Sequence, residues 1–365
     1  MRMRVAIVHY WFVGMRGGEK VVEALCELFP QAHIYCHVYR PVKVSQTIGR
    51  HDIHTTFVQK LPAAHRLYQS YLPLMPIALE QLDLREYDLV ISSESGPAKG
   101  VVVGPDTLHI CYCHSPMRYI WDMYPQYFNA SSFIKKLLMI PLVHYLKIWD
   151  RCSADRVDHY IANSEFVAKR IQKFYKRSST VINPPVHVSE FSITKNIDDY
   201  YLLIGQLVEY KRADLAVDAF NLTGKRLVII GEGEQLNELK KKAGQNIEIL
   251  GRQSFDVIKK HYSSCKALIF PGVEDFGIVP LEAMASGRPV IAFRKGGALE
   301  TVVDGVTGIF FNEQTPQSLN TAINSFEARE SEFLPELIRK HAEQFDKEIF
   351  KDKIQSFVDS CMSRQ

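Results

Sequence analysis

The stretch FPGVEDFGIVPLEAMASGRPVIA, residues 270 to 292, sets carboxylates where they can hold hydroxyl groups. KALIF reads as a strand that ends at Pro271, GVEDFG as a turn, and IVPLEAMASG as a helix. The first amides of a helix have no intrahelical partner and carry the positive end of its dipole, so Phe276, Gly277 and Ile278 form a ready anion site. Glu274 in the turn can accept hydrogen bonds from hydroxyls, and Glu282, one or two turns into the helix, can reach a second set. A ligand with phosphates flanked by two polyols fits this chemistry, and a nucleotide sugar is one such ligand. The plainer alternative is a pair of surface acids flanking a buried helix.

The elements that must position these groups follow from hydrophobic periodicity. RVAIVH (4–9), AHIYCHV (32–38), YDLVIS (87–92), TLHICYC (107–113) and HYIAN (159–163) read as strands, and so do YLLIG, RLVII, IEIL, KALIF and PVIAF further on. Between them EKVVEALCELF and EFVAKRIQKFY place apolar residues at helical spacing, with Val21, Leu25 and Leu28 on one face and Val167, Ile171 and Phe174 on the other helix's face. Two successive βα arrays predict an α/β chain of two Rossmann-like, doubly wound parallel sheets facing across a cleft. The polar segment after Pro184-Pro185 marks the join. The expected domains are 1–190, 191–345, and a C-terminal helix over 346–365 that returns to the first domain. Ligands of such sheets bind at the carboxyl ends of strands, which is where Glu274 stands.

Length and composition agree with packed cores: 365 residues, 46% hydrophobic and 23% charged, with no signature of disorder. Seven cysteines without a C-x-x-C pair point to reduced thiols and a cytoplasmic setting. MRMRVAIVHYWFVG leads into a glycine loop rather than a cleavage site, and no run reaches the length of a membrane span. Residues 1–190 carry 22 Lys and Arg against 16 Asp and Glu, and residues 191–365 carry 22 against 25, so the first half is the basic one. That asymmetry suits an anionic partner or a plain solvated surface. A nucleic-acid binder would interleave clustered Lys and Arg with aromatics, a run this sequence lacks. His109, Cys111 and Cys113 alternate on one strand, where three neighbours rarely close around zinc, so no metal site is expected.

Glu274, seven intervening residues, and Glu282 inside PGVEDFGIVPLEAMASGRPVIA resemble the Glu-x7-Glu motif of the retaining family 4 glycosyltransferases, which have the two-Rossmann-domain B-type fold. LIGQLVEYKRADLAVDAF (203–220) is similar to the family's segment carrying a basic pair on the donor phosphates, and Lys211 matches its lysine. Gln206 stands where the family usually has arginine, which leaves Arg212 as the nearby second cation. GGEK (17–20) resembles the glycine-rich loop after the first strand, placing Gly17 and Gly18 near the donor phosphates or the acceptor, or simply in a loop turn. GEGEQ (231–235) resembles a nucleotide contact through Gly231 and Gly233, or a tight βα turn. CYCHSPMRYIWD (111–122) looks like the segment whose histidine lies beside the transferred sugar, here His114, with the adjacent carbonyl available to stabilise positive charge.

The resemblance implies transfer with retention of configuration and no required cofactor or metal. The implied roles are His114 and Glu274 on the sugar, Lys211, Arg212 and the Phe276–Ile278 amides on the diphosphate, and Glu282 on the ribose. HSPMRYIWD, YKR and NPPV most resemble bacterial mannosyltransferases of O-antigen or exopolysaccharide synthesis. The implied donor is GDP-mannose, with a UDP-hexose or dTDP-rhamnose as alternative. The implied acceptor is a polyprenyl-diphosphate-linked glycan at the inner face of the cytoplasmic membrane. A nucleotide-sugar epimerase of the same fold is the other enzyme that paired acids in a cleft allow. SSFIKKLLMIPLVHYLKIWDR (131–151) mixes apolar residues with Lys135, Lys136 and Lys147, as an interfacial helix would, although Pro141 is expected to interrupt it and a buried helix is the alternative.

Overall fold

Short runs rich in valine, isoleucine and leucine, buried along most of their length, are what parallel strands covered on both faces require. The computed structural model describes residues 3–129 and 132–363; positions 1–2, 130–131 and 364–365, including the first residue of the 131–151 segment and the end of the 346–365 helix, lie outside the described residues. The chain divides into two units, one made of the residues up to Pro184 with those from Phe350 on, the other Pro185–Ile349.

The first unit contains β1 (Val5–His9), β2 (Trp11–Phe12), β3 (His33–Cys36), β4 (Val38–Tyr39), β5 (Ile53–Thr55), β6 (Leu89–Glu94), β7 (Leu108–Cys113), β8 (His159–Ala162) and β9 (Thr180–Val181). Seven of them form one parallel sheet in the order β5-β3-β1-β6-β7-β8-β9, and β2 pairs with β4 in a separate ribbon. The second unit has β10 (Tyr201–Ile204), β11 (Leu227–Ile230), β12 (Ile247–Gly251), β13 (Leu268–Phe270), β14 (Val290–Phe293) and β15 (Gly308–Phe311), parallel in the order β12-β11-β10-β13-β14-β15. Counted from its own first strand, the second sheet runs 3-2-1-4-5-6 and the first runs the same order with a seventh strand added at the end, the dinucleotide-fold order with its switch point beside the first strand.

The unit boundary falls at Pro184/Pro185, six residues before the 190/191 expected, because Val186 and Val188 bury their side chains in the second unit's core. The C-terminal helix, Lys347–Met362, turns Phe350, Ile354, Val358 and Cys361 into the first unit's core beside Ile7, Leu25 and Tyr112. Their spacing of four, four and three residues is a single helical stripe.

Helix Phe133–Ala154 is continuous, so Pro141 does not interrupt it. Pro141 and Leu137, whose carbonyl loses its N–H partner, are both exposed, and water can satisfy that carbonyl. The inner face of the helix carries Val143, Leu146 and Trp149 into the core, and it carries Asp150 to the wholly buried ammonium of Lys99. Glu94, 3.7 Å from the same ammonium, is raised to about 7 by burial. The outer face presents Phe133, Ile134, Leu137, Leu138, Tyr145 and Ile148 to solvent, Phe133 at 82% exposure.

Candidate active site

In the second unit the chain leaves β13 through Pro271 and turns at Val273–Gly277 into helix Ile278–Ala285. Gly277 caps that helix at φ 94°, a left-handed conformation that a side chain disfavours. The turn is held from outside, where the Gly297 amide donates to the Glu274 carbonyl at 2.9 Å. Phe276 anchors it from below, buried and packed on Phe345 with ring centroids 5.8 Å apart. Glu274 therefore projects from a pinned backbone.

Its partner comes from the loop after β10. Lys211 Nζ sits 2.8 Å from Glu274 Oε1, with each side chain about one-fifth exposed. Arg212 adopts φ 54° and ψ 41°, unusual for a residue with a side chain, and starts helix Ala213–Thr223. Its guanidinium forks onto Asp214, with Nε 3.1 Å from Oδ1 and Nη2 3.1 Å from Oδ2. The two adjacent cations thus have different employments: Lys211 faces the acidic turn, and Arg212 locks the start of its own helix. Gln206, on the same loop, is exposed.

Glu282 is buried, and one of its oxygens accepts the Tyr262 hydroxyl at 2.9 Å. Burial first, and Glu282 second, hold that phenol well above its ordinary pKa, so it remains a donor. Gly231 and Gly233 have a packing reason to be glycine. A Cβ on Gly231 would lie 1.8 Å from the Gly205 carbonyl oxygen, and one on Gly233 would lie 2.3 Å from that of Leu207. Both positions serve the close approach of two strand-following loops, which is the tight-turn reading of GEGEQ.

In the first unit Gly17 opens helix Gly17–Leu28 after β1. A Cβ on the adjacent Gly18 would meet the Tyr10 hydroxyl at 2.8 Å and stand 3.6 Å from His114 Nε2, so this glycine and this histidine are neighbours. His114 follows β7, its amide donating to the Glu94 carbonyl at 2.7 Å and its carbonyl accepting from Asn163 Nδ2 at 3.0 Å. The carbonyl assigned to charge stabilisation therefore already serves a side-chain amide with one of its two lone pairs.

Ser93 Oγ lies 2.8 Å from His114 Nε2 and 3.1 Å from His9 Nδ1. A hydroxyl has one proton, so it donates to one imidazole and accepts from the other. Burial, and then the nearby His114, hold His9 well below the usual histidine pKa and keep it neutral. Glu19, at the third position of the helix, is also buried, accepts the Arg16 amide at 3.0 Å, and is raised by burial to about 7. His9, Ser93, Glu19, Asn163 and Tyr262 were not singled out from the sequence. The only signal was position: His9 and Asn163 end the first and fifth strand-like runs of the first unit and Ser93 follows the third, whereas Glu19 and Tyr262 lie in helices and carried none.

Residues 189–351 match the model of glycosyl transferases group 1, and residues 15–190 match glycosyltransferase family 4. The chain belongs to the glycosyltransferases. This glycosyltransferase is 29% identical over 201 residues to an uncharacterized glycosyltransferase of Methanocaldococcus jannaschii, a match covering 54% of this chain and 56% of that one. It is 27% identical to the O-antigen chain mannosyltransferase RfbU of Salmonella typhimurium, over 57% of this chain and 60% of that one. An alpha-1,3/1,6-mannosyltransferase of Mus musculus is 27% identical over 79% of this chain and 78% of its own length. The matches to the first two relatives span less than two thirds of those proteins. Among solved structures, HepE of Anabaena in complex with UDP aligns at TM-score 0.74 and 16% identity, over 98% of this chain and 100% of that one. Sucrose-phosphate synthase from Thermosynechococcus elongatus aligns at TM-score 0.73 and 15% identity over the full length of both. These likenesses establish the B-type glycosyltransferase fold for the two units.

Proposed function

We propose that the protein is a retaining hexosyltransferase that moves mannose from GDP-mannose onto a polyprenyl-diphosphate-linked glycan in bacterial surface-polysaccharide synthesis. The observation that carries the reading is the Lys211–Glu274 ion pair at the carboxyl end of β13, beside the first turn of helix Ile278–Ala285. A carboxylate and a diphosphate compete for one ammonium. When donor enters, Lys211 turns to the diphosphate, and Glu274 is released to accept hydrogen bonds from the sugar hydroxyls. With Gln206 neutral and Arg212 held by Asp214, Lys211 and the amides of Phe276, Gly277 and Ile278 are left to neutralise the leaving group. His114 meets a hydroxyl of the transferred sugar, Gly17 and Gly18 leave room for the substrate, and Glu282 takes the ribose while Tyr262 fixes its carboxylate. The departing phosphate accepts the acceptor's proton, so the reaction needs no metal and no dedicated base.

Mannose rests on the relatives named mannosyltransferases. A UDP-hexose is the second reading, supported by the UDP and UDP-glucose in the HepE structures. Calorimetric titration with GDP-mannose, UDP-glucose and dTDP-rhamnose in EDTA separates them. Selective binding of GDP-mannose supports the first reading, selective binding of UDP-glucose replaces it with the second, and binding that appears only with added metal contradicts the metal-free site.

The lipid-linked acceptor gives the outer face of helix Phe133–Ala154 a role. Its exposed apolar side chains, with Lys135, Lys136 and Lys147 on the same helix, suit the headgroup region of an anionic membrane at the cytoplasmic face. The protein should sediment with phosphatidylglycerol vesicles, and L137E/L138E should leave it in the supernatant. Equal sedimentation of that variant removes the helix from the membrane contact.

A further inference from the structure

Parallel register gathers four side chains at the edge of the first unit's sheet. β3 and β5 pair Ile34 with Ile53 and Tyr35 with His54, and the Ile34 amide donates to the Asp52 carbonyl at 2.8 Å. Side chains alternate along a strand, so His33 and Tyr35 share one face with Asp52 and His54, while Ile34 enters the core on the other. One imidazole nitrogen from each histidine and one carboxylate oxygen of Asp52 lie within 4.8 Å of one another. His54 Nε2 stands 3.2 Å from Asp52 Oδ2.

The tyrosines behind this cluster orient it. His33 Nδ1 lies 2.7 Å from the hydroxyl of buried Tyr87, and that hydroxyl lies 2.9 Å from the hydroxyl of Tyr35. The Tyr35 ring in turn stacks on His54, with centroids 4.9 Å apart and planes at 22°. A hydrogen bond at Nδ1 sets both the ring plane and the tautomer, and with Nδ1 donating, Nε2 offers its lone pair outward. Outer hydrogen bonds of this kind orient metal-ligating histidines.

We propose that His33, Asp52 and His54 bind one divalent transition metal ion, zinc first among them, with Tyr87 and Tyr35 as its outer supports. Two imidazoles and a carboxylate suit Zn²⁺, Ni²⁺ or Cu²⁺, whereas Mg²⁺ and Ca²⁺ favour oxygen donors. Tetrahedral zinc with bonds of about 2.0–2.1 Å sets its ligands roughly 3.4 Å apart. The side chains of Asp52 and His54, 64% and 43% exposed, have the freedom to close the remaining distance, and water takes the fourth position. His33 begins β3 and Asp52 precedes β5, whereas Gly18 and His114 stand at the carboxyl ends of β1 and β7. The ion clips the edge strand to its neighbour and has no part in sugar transfer.

The test is a Zn²⁺ titration by calorimetry of untagged protein, stripped with EDTA and exchanged into chelator-free buffer. One equivalent should bind, more weakly as the imidazoles protonate at lower pH. H33A and H54A should each lower the affinity by about tenfold or more with an unchanged circular dichroism spectrum, and Y87F by about tenfold through loss of the outer hydrogen bond. Zn²⁺ binding that is equal in H33A, H54A and wild type, or no single-equivalent binding, overturns the proposal. GDP-mannose binding should be the same for stripped and zinc-loaded protein; a donor affinity that depends on the ion overturns its assignment to the sheet edge.

Discussion

In the second unit the loops after β10 and β13 bring an ammonium and a carboxylate to 2.8 Å, both partly open to solvent. In the first unit, whose first six strands follow the same order, the last residues of β1 and β6 and the residues just after β1 and β7 bring together two imidazoles, a serine and a tyrosine beside Gly18. The contrast is one of charge and water. An ion pair with some exposure can exchange partners when an anionic ligand arrives, at a cost softened by solvent. The chain through Ser93 is anchored on buried, neutral His9, which cannot accept a net charge cheaply, and it fixes ring orientation instead. The same type of sheet thus carries an exchangeable ion pair in one unit and a pre-set hydrogen-bonded chain in the other.

The contrast can be broken first on its charged side. Glu274→Ala should lower transfer by roughly 100-fold or more, the scale of losing one group aimed at the reacting centre, with the fold intact by circular dichroism. Unchanged turnover would remove Glu274 from the site. Breaking the neutral side should cost less. Ser93→Ala should reduce kcat by about tenfold, since it loosens His114 without removing it, while donor affinity stays near wild type. If donor affinity falls instead, the serine chain belongs to donor binding.

The smallest effect sharpens the comparison through pH. Burial raises Glu19 from 4.5 to about 7. Below about 4.5 both the folded and unfolded states hold this proton and the shift costs nothing. Between about 4.5 and 7 the folded state binds more protons than the unfolded one, so stability falls as pH rises, by roughly 3 kcal/mol in all. Denaturant unfolding of wild type and Glu19→Gln across this window should show a slope that the variant lacks. Parallel curves would assign the slope to another buried acid, with Glu94 the next to test.

Much of the scaffold was legible because buried parallel strands are written as compact apolar runs: VAIVH, LVII and VIAF each became a strand within a residue or so of its reading. β5 and β9 were missed because three and two residues at a sheet edge carry too little pattern, and GIFF of β15 because its first residue is glycine. Glu274 and Lys211 were found by motif, but their direct pairing was not, since nothing local in either segment encodes the other. Arg212 shows the same limit. Its left-handed backbone and its fork onto Asp214, two residues on, are not written in the motif that singled it out. His9 and Ser93 are ordinary residues at the ends of ordinary strands. Only the register of β1 against β6, which pairs these two positions, makes them a chain.

The most direct test of the account is a transfer assay with GDP-mannose and a polyprenyl-diphosphate-linked glycan in EDTA, with products resolved by mass spectrometry and their anomeric configuration by NMR. The account predicts acceptor extended by one hexose in the donor's configuration, with Lys211→Met nearly inactive. Release of free or epimerised sugar without extended acceptor, or full activity of the Lys211 variant, would contradict it.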